Sequence, residues 1–159
     1  MDAAALGAFI SSLQLADSFF PSGLYTLSHG LESYAQAGKL DAESLEPIIA
    51  GLLRHGAGPS DAAALAIAHR AATVADLELI EETDLRLSAV KLVREQRQAS
   101  VRLGRQLLSL ASDVFEDRLS GEYLRRVRER DLPGNHPVAV GIVKAGLGIP
   151  AREAVIGDL

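Results

Sequence analysis

Apolar residues recur along nearly the whole chain at spacings of three and four rather than two, the period of helices that bury one face. The pattern predicts an all-α fold, a single-domain bundle of about eight or nine helices spanning residues 1–159. Helices are expected near 3–20, 26–38, 42–57, 60–74, 76–84, 85–115, 120–130, 136–148 and 150–159. Short acceptors stand before four of these runs: Asp41 for the third, Ser60 for the fourth, Asp76 for the fifth and Ser120 for the seventh. Pro150 suits a first helical turn, and Glu153 favours the positive end of the same helix. Breakers at Gly38, Gly56-Ala57-Gly58-Pro59, Gly121 and Pro133-Gly134 are spaced like the corners of a bundle. The stretch from Asp113 to Asn135, rich in charge, reads as surface loop with a mobile short helix.

The run 85–115 shows the strongest two-sidedness. At about 100° per residue, Leu92, Val93, Gln96, Ala99, Ser100, Leu103, Leu107, Leu110 and Ala111 fall on one side, the expected core face. Lys91, Arg94, Arg102 and Arg105 fall together on the other as a basic ridge. Such a ridge is either a solvated face or a docking surface for an acidic partner, where complementary charge sets association rate and register. Arg97, nearer the flank with Glu95, is expected to reach a carboxylate on a neighbouring helix and so to be structural. Ser100 and Gly104 are small residues on the buried side, suited to close approach of a second helix.

Composition narrows the setting. Cysteine is absent from the 159 residues, which removes disulfides, thiolate metal sites and thiol nucleophiles, and agrees with a reducing compartment. No Lys or Arg precedes Lys39 and no apolar run reaches the roughly 18 residues of a membrane span, so a cytoplasmic protein without a membrane partner is expected. A net charge of −5 speaks against nucleic acid as the main partner.

Motifs for chemistry are missing. The sequence holds no G-x-x-x-x-G-K-[ST] nucleotide cradle, no G-x-G-x-x-G fingerprint and no G-x-S-x-G elbow. His29 and Glu32 share a helix face at a spacing of three, but His55, His69 and His136 are scattered, and no Glu-x-x-His pair exists, so no dedicated metal site is expected. Glu81-Glu82 reads as solvated surface. These observations point away from an enzyme and toward a protein that works through its surfaces, a generic interaction module, with a helical nucleic-acid binder or a small helical enzyme as the rival readings.

The most specific segment is Leu13 to Leu40, LQLADSFFPSGLYTLSHGLESYAQAGKL, where an apolar helix meets a Phe-Phe-Pro-Ser-Gly break and restarts at once. Pro21 forces its predecessor out of helical geometry, Ser22 accepts from free backbone donors, and Gly23 is free to take positive φ. Phe19-Phe20 is expected to anchor in the core, the alternative being an exposed knob for a partner. Leu13, Leu15, Asp17, Ser18, Pro21, Gly23, Tyr25, Ser28, Gly30, Leu31 and Glu32 together resemble the opening signature of the UreF family of urease accessory proteins. Val93–Leu108, VREQRQASVRLGRQLL, and Asn135–Leu147, NHPVAVGIVKAGL, resemble two further family stretches in the same order.

The resemblance implies a homodimeric, cytoplasmic chaperone component of nickel insertion. Such a protein bridges the UreD accessory protein (also called UreH) and the UreG GTPase while nickel is delivered into the urease apoprotein. It implies no cofactor of the chain's own, with nickel and GTP handled mainly by partners. Family members usually continue for several more helices and a tail, so the resemblance also implies a shortened chain. The partner-binding candidates are Pro21, Gly23, Tyr25, Ser28, His29 and Glu32 at the break, and Lys91, Arg94, Arg97, Arg102 and Arg105 on the ridge.

Overall fold

The computed structural model describes residues 2–17, 20–21 and 30–158, which are all-α with no strand among them. Gly23, Tyr25, Ser28 and His29 lie outside the described residues. Helix α1 (Ala3–Ala16) starts at Asp2, whose carboxylate accepts from the Ala5 N–H at 2.7 Å. Helix α2 (Leu31–Gln36) is short and begins after Gly30, which sits at φ 93°. Helix α3 (Ala42–Leu52) opens with a reciprocal cap: Asp41 accepts from the Ser44 N–H, and the Ser44 hydroxyl accepts from the Asp41 N–H, both at 2.8 Å.

The expected corner at Gly56-Ala57-Gly58-Pro59 is not a corner. The chain runs on from α3 as a π-helical segment (Leu53–Ala62) directly into α4 (Ala63–Thr73), so Ser60 caps nothing and instead donates back to the Gly56 carbonyl at 2.9 Å. The wider turn accommodates Pro59, which lacks an N–H and would crowd an ordinary α-helical turn. It also brings the Leu53 carbonyl against Gly58 so closely that a Cβ there would collide.

Helix α5 (Leu77–Val90) is capped by Asp76, and the expected division between 84 and 85 is absent; the break falls at Lys91–Val93, before α6 (Arg94–Val114). Helix α7 (Arg118–Glu129) is capped by Asp117, which accepts from the Ser120 N–H at 3.1 Å, so Ser120 is the bonded residue and not the cap. Gly121 lies inside this helix, close against the Ser112 side chain. Nor is the region around α7 a surface loop, because Ser120, Tyr123, Leu124 and Val127 are buried in the core. Helix α8 (His136–Gly146) and helix α9 (Ala151–Ile156) complete the chain.

Every residue from His136 to Lys144 is buried, which makes α8 the central helix, packed against α4 and α6 and flanked by α5, α7 and α9. A helix surrounded on all sides needs apolar residues all round, and His136-Pro-Val-Ala-Val-Gly-Ile-Val largely supplies them. Two glycines set how closely it is approached. A Cβ on Gly141 would stand 2.6 Å from the Leu65 carbonyl oxygen and 2.9 Å from the His69 nitrogen, both backbone atoms of α4. A Cβ on Gly104 of α6 would press on the backbone of Gly134, Asn135 and His136, at 2.6 Å from Asn135 C and 2.7 Å from His136 N. Ser100, one turn earlier, accepts from the His136 N–H at 3.2 Å. The small pair Ser100 and Gly104 thus lets α8 begin against α6, as their spacing predicts.

Phe20 packs on the core, as expected of the aromatic pair at this one position; Phe19 lies outside the described residues. With Leu15 and Leu107 it covers a cavity of about 20 Å³ that also touches His136, Val140, Val143, Lys144 and Asp158. Lys144 donates to the Ala154 carbonyl at 2.8 Å and pairs with Asp158 at 3.6 Å. This holds α9 on α8 of its own chain. Burial holds the ring of His136 below the ordinary imidazole range, with Asp158 opposing.

Gly104→Ala is expected to destabilise the fold by about 2 kcal/mol or more, because the colliding atoms are backbone and cannot rotate away; urea unfolding measures it. For His136 the fold favours the neutral ring while the unfolded chain protonates near 6.5. Its contribution to stability is therefore full above that pH and is lost as pH falls through and below it. Melting temperature followed across this window should decline on acidification, and His136→Gln should flatten the decline.

Candidate functional site

The polar groups of the molecule divide into a locked interior and an open face on α6. At the interior's centre, the fully buried Asp84 of α5 accepts from the Tyr123 hydroxyl at 2.6 Å, the Gly134 N–H at 2.6 Å, the Asn135 N–H at 2.8 Å and the Asn135 side-chain amide at 2.8 Å. The same amide donates to the Ser88 hydroxyl at 2.7 Å. Burial, followed by the Asp84 charge, pushes the Tyr123 phenol far above its usual range, so it remains a donor. Beside this knot, Glu81 is 14% exposed in its side chain and pairs with Arg126 at 2.7 Å and Arg130 at 2.9 Å. Only Glu82, paired with Arg86, is the solvated carboxylate that sequence reasoning assigned to both. These bonds are structural, joining fixed partners; within the knot, Asn135 Oδ1 is buried without a hydrogen-bond partner among the described residues.

The basic ridge is shorter than its helical wheel implies. Lys91 is not on α6; it ends α5, and its ammonium contacts both Asp61 carboxylate oxygens at 2.7 and 2.9 Å with its side chain 12% exposed. Arg105 reaches back to the carbonyls of Pro133 at 3.0 Å and Leu132 at 2.8 Å, tying α6 to the turn before α8. Arg97 finds no carboxylate, donating instead to the Lys91 carbonyl at 2.5 Å, across the turn between α5 and α6. It is structural as expected, through a different partner. Arg94 and Arg102 remain exposed on α6, with no hydrogen bond or ion pair to another described residue.

Leu92 and Val93 overturn the expected core face. Both were placed with Leu103 and Leu107, which are buried, yet Leu92 is 87% and Val93 49% exposed because the helix breaks before it can carry them inward. Gln96 is exposed as well.

At the Phe-Phe-Pro-Ser-Gly segment, Pro21 is exposed and its carbonyl accepts from the Gln106 side chain, which ties Pro21 to α6. Glu32 is exposed on α2. No group of three His, Asp or Glu side chains suited to a metal ion occurs among the described residues. An open groove of about 490 Å³ between α6 and α7 is lined by Ser109, Ser112, Asp113, Arg125 and Arg128, among others, and Arg125 is already held by Glu122 and Glu129.

Sequence reasoning missed Asp84, Tyr123 and Asn135 as a unit. The available signal was an aspartate in the middle of an apolar-periodic helix, a residue that favours caps and disfavours helix interiors unless something satisfies it.

The described residues are thus those of an all-α protein with a buried polar knot at Asp84 and two exposed, unpaired cations, Arg94 and Arg102, on α6. A model of the UreF family matches residues 39–159, and the chain belongs to that family. It is 36% identical over 143 residues to a urease accessory protein UreF 2 of Brucella canis, covering 89% of this chain and 58% of that protein. Urease accessory protein UreF of Trichodesmium erythraeum is 34% identical over 155 residues, covering 94% and 65%, and that of Yersinia pestis is 31% identical over 148 residues, covering 92% and 64%. The chain therefore spans roughly three fifths of the length of these relatives. No solved structure matches it.

Asp84→Ala is expected to cost about 3–5 kcal/mol, because four buried donors lose their acceptor together. Tyr123→Phe, which removes one donor, should cost about 1 kcal/mol; denaturant titration of the two variants checks the ratio.

Proposed function

We propose that the chain is a non-catalytic component of urease maturation that bridges a UreD/UreH-type accessory protein and a UreG-type GTPase while nickel is delivered to the urease apoprotein. Membership of the UreF family supports this reading, and one structural observation carries it to residues: Arg94 and Arg102 are exposed and unpaired on a helix whose other face is fixed in the core. A cation held on a rigid support and left without a partner among the described residues is suited to meet an acidic surface, setting encounter rate and register. Pro21, bonded to the same helix through Gln106, adds to the proposed face, and Gly23, Tyr25, Ser28, His29 and Glu32 are proposed as further partner contacts. The nickel ligands and the GTP chemistry belong to the partners, the setting is the cytoplasm, and the working form is a homodimer.

The test is charge reversal of Arg94 and Arg102 together, with binding to separately purified UreD/UreH-type protein, UreG-type GTPase and urease apoprotein measured at several salt concentrations. Stability should change by less than about 0.5 kcal/mol. Affinity for one partner should fall about tenfold or more, with a shallower salt dependence than the parent. Arg105 is excluded from the variant, since its loss frees the carbonyls of Leu132 and Pro133. Unchanged binding to all three proteins at physiological salt refutes the docking role.

A further inference from the structure

Between α5 and α6 the chain leaves helical geometry at Lys91-Leu92-Val93, a sequence with no glycine or proline to require it. The break is imposed by tertiary bonds. Asp61, on the π-helical segment, holds the Lys91 ammonium through both oxygens, and Arg97 holds the Lys91 carbonyl. Lys91 and Val93 are drawn out to ψ 89° and 117°. The consequence is a fixed elbow that carries three apolar side chains into solvent: Val90 at 61%, Leu92 at 87% and Val93 at 49% exposure. A continuous helix would have turned Leu92 and Val93 toward the core, so this exposure is not what the local sequence prefers.

Charge is distributed unevenly around this elbow. From Arg94 to Arg105, α6 carries four guanidiniums against the single carboxylate of Glu95, on a chain whose net charge is −5. Among the described residues, Arg97 and Arg105 bond only to neutral carbonyls, so their charge is not cancelled, and Arg94 and Arg102 are exposed and unpaired. An apolar projection on a rigid mount beside uncancelled cations is the form of an interface anchor, in which a few well-supported side chains dominate binding and complementary charge orients them.

We infer that the α5–α6 elbow inserts Leu92, flanked by Val90 and Val93, into an apolar cleft edged by carboxylates on another protein. The inference rests on the docking role proposed for Arg94 and Arg102 and adds the apolar anchor that fixes it.

Leu92→Ser and Leu92→Met, with Arg94→Glu/Arg102→Glu alongside, distinguish the two. Each is titrated against UreD/UreH-type protein, UreG-type GTPase and urease apoprotein singly, at low and high salt, and the chain alone is followed by sedimentation. Leu92→Ser should melt with the parent yet bind one of the three about tenfold more weakly. That loss should persist at high salt, and Leu92→Met should restore affinity. If Leu92→Ser binds all three as the parent does while the charge reversal weakens binding, the anchor is overturned and the docking role stands. If neither variant weakens binding, both fall. A Leu92→Ser variant that changes only self-association, or that unfolds more readily, also overturns the anchor, making Leu92 a contact between copies or a structural residue.

Discussion

The carboxylate of Asp84 is the junction on which the rest of the packing depends. It lies on α5, yet three of its bonds go to the turn that starts α8 and one to Tyr123 of α7, so one side chain sets the relative position of three helices. A buried carboxylate is costly unless its lone pairs are filled, and here four donors fill them. The arrangement is therefore specific: a slip of any helix by one turn would leave buried polar atoms without partners, with a penalty far larger than a slip of purely apolar contacts. Ser100 and Gly104 of α6 complete the junction from the opposite side, one bonding the His136 N–H and the other leaving room for the chain to pass.

From that junction the central helix follows. Its first residues are held by Asp84 and Ser100, its middle packs on α4 at Gly141, and its C-terminal part holds α9 through Lys144. The described N-terminal helices α1, α2 and α3 contain no buried residue, and α1 presents Leu6, Phe9, Ile10 and Leu13 to solvent. Among the described residues, the interior is thus built almost wholly after Ala63. The described residues before it lie mostly at the surface, tied on at points such as Phe20 in the small cavity and Pro21 on Gln106.

The same use of polar bonds shapes the outer face. Lys91, Arg97 and Arg105 have the composition of a basic ridge, but each serves as a fastener: to Asp61, to the Lys91 carbonyl, and to the turn before α8. Their bonds make α6 a rigid mount, and what it carries outward is Arg94, Arg102 and the apolar elbow. Fixing a surface in advance lowers the entropic cost of binding, which is how fasteners with no partner of their own can matter to association.

The three-and-four period of the apolar residues determined the all-α fold, because only helices can bury such a pattern on one face. Local chemistry determined the caps at Asp41 and Asp76 and the close packing at Ser100 and Gly104, since a short acceptor or a missing side chain acts through its immediate neighbours. The spaced residues of the break, of Val93–Leu108 and of Asn135–Leu147 were enough to indicate the family. Where the chain leaves a helix without glycine or proline was decided only by tertiary structure: the break at Lys91–Val93 depends on Asp61, thirty positions earlier, and the Pro59 turn stays helical because a π-helical widening accommodates it. Which charges are free was likewise hidden, because a wheel assigns direction around one helix and knows nothing of a carbonyl at Pro133 or a carboxylate at Asp61 waiting in space. Asp84 shows the limit most plainly. Along the sequence it is a misplaced polar residue, and only the convergence of Tyr123, Gly134 and Asn135 from far along the chain turns it into the anchor of the fold.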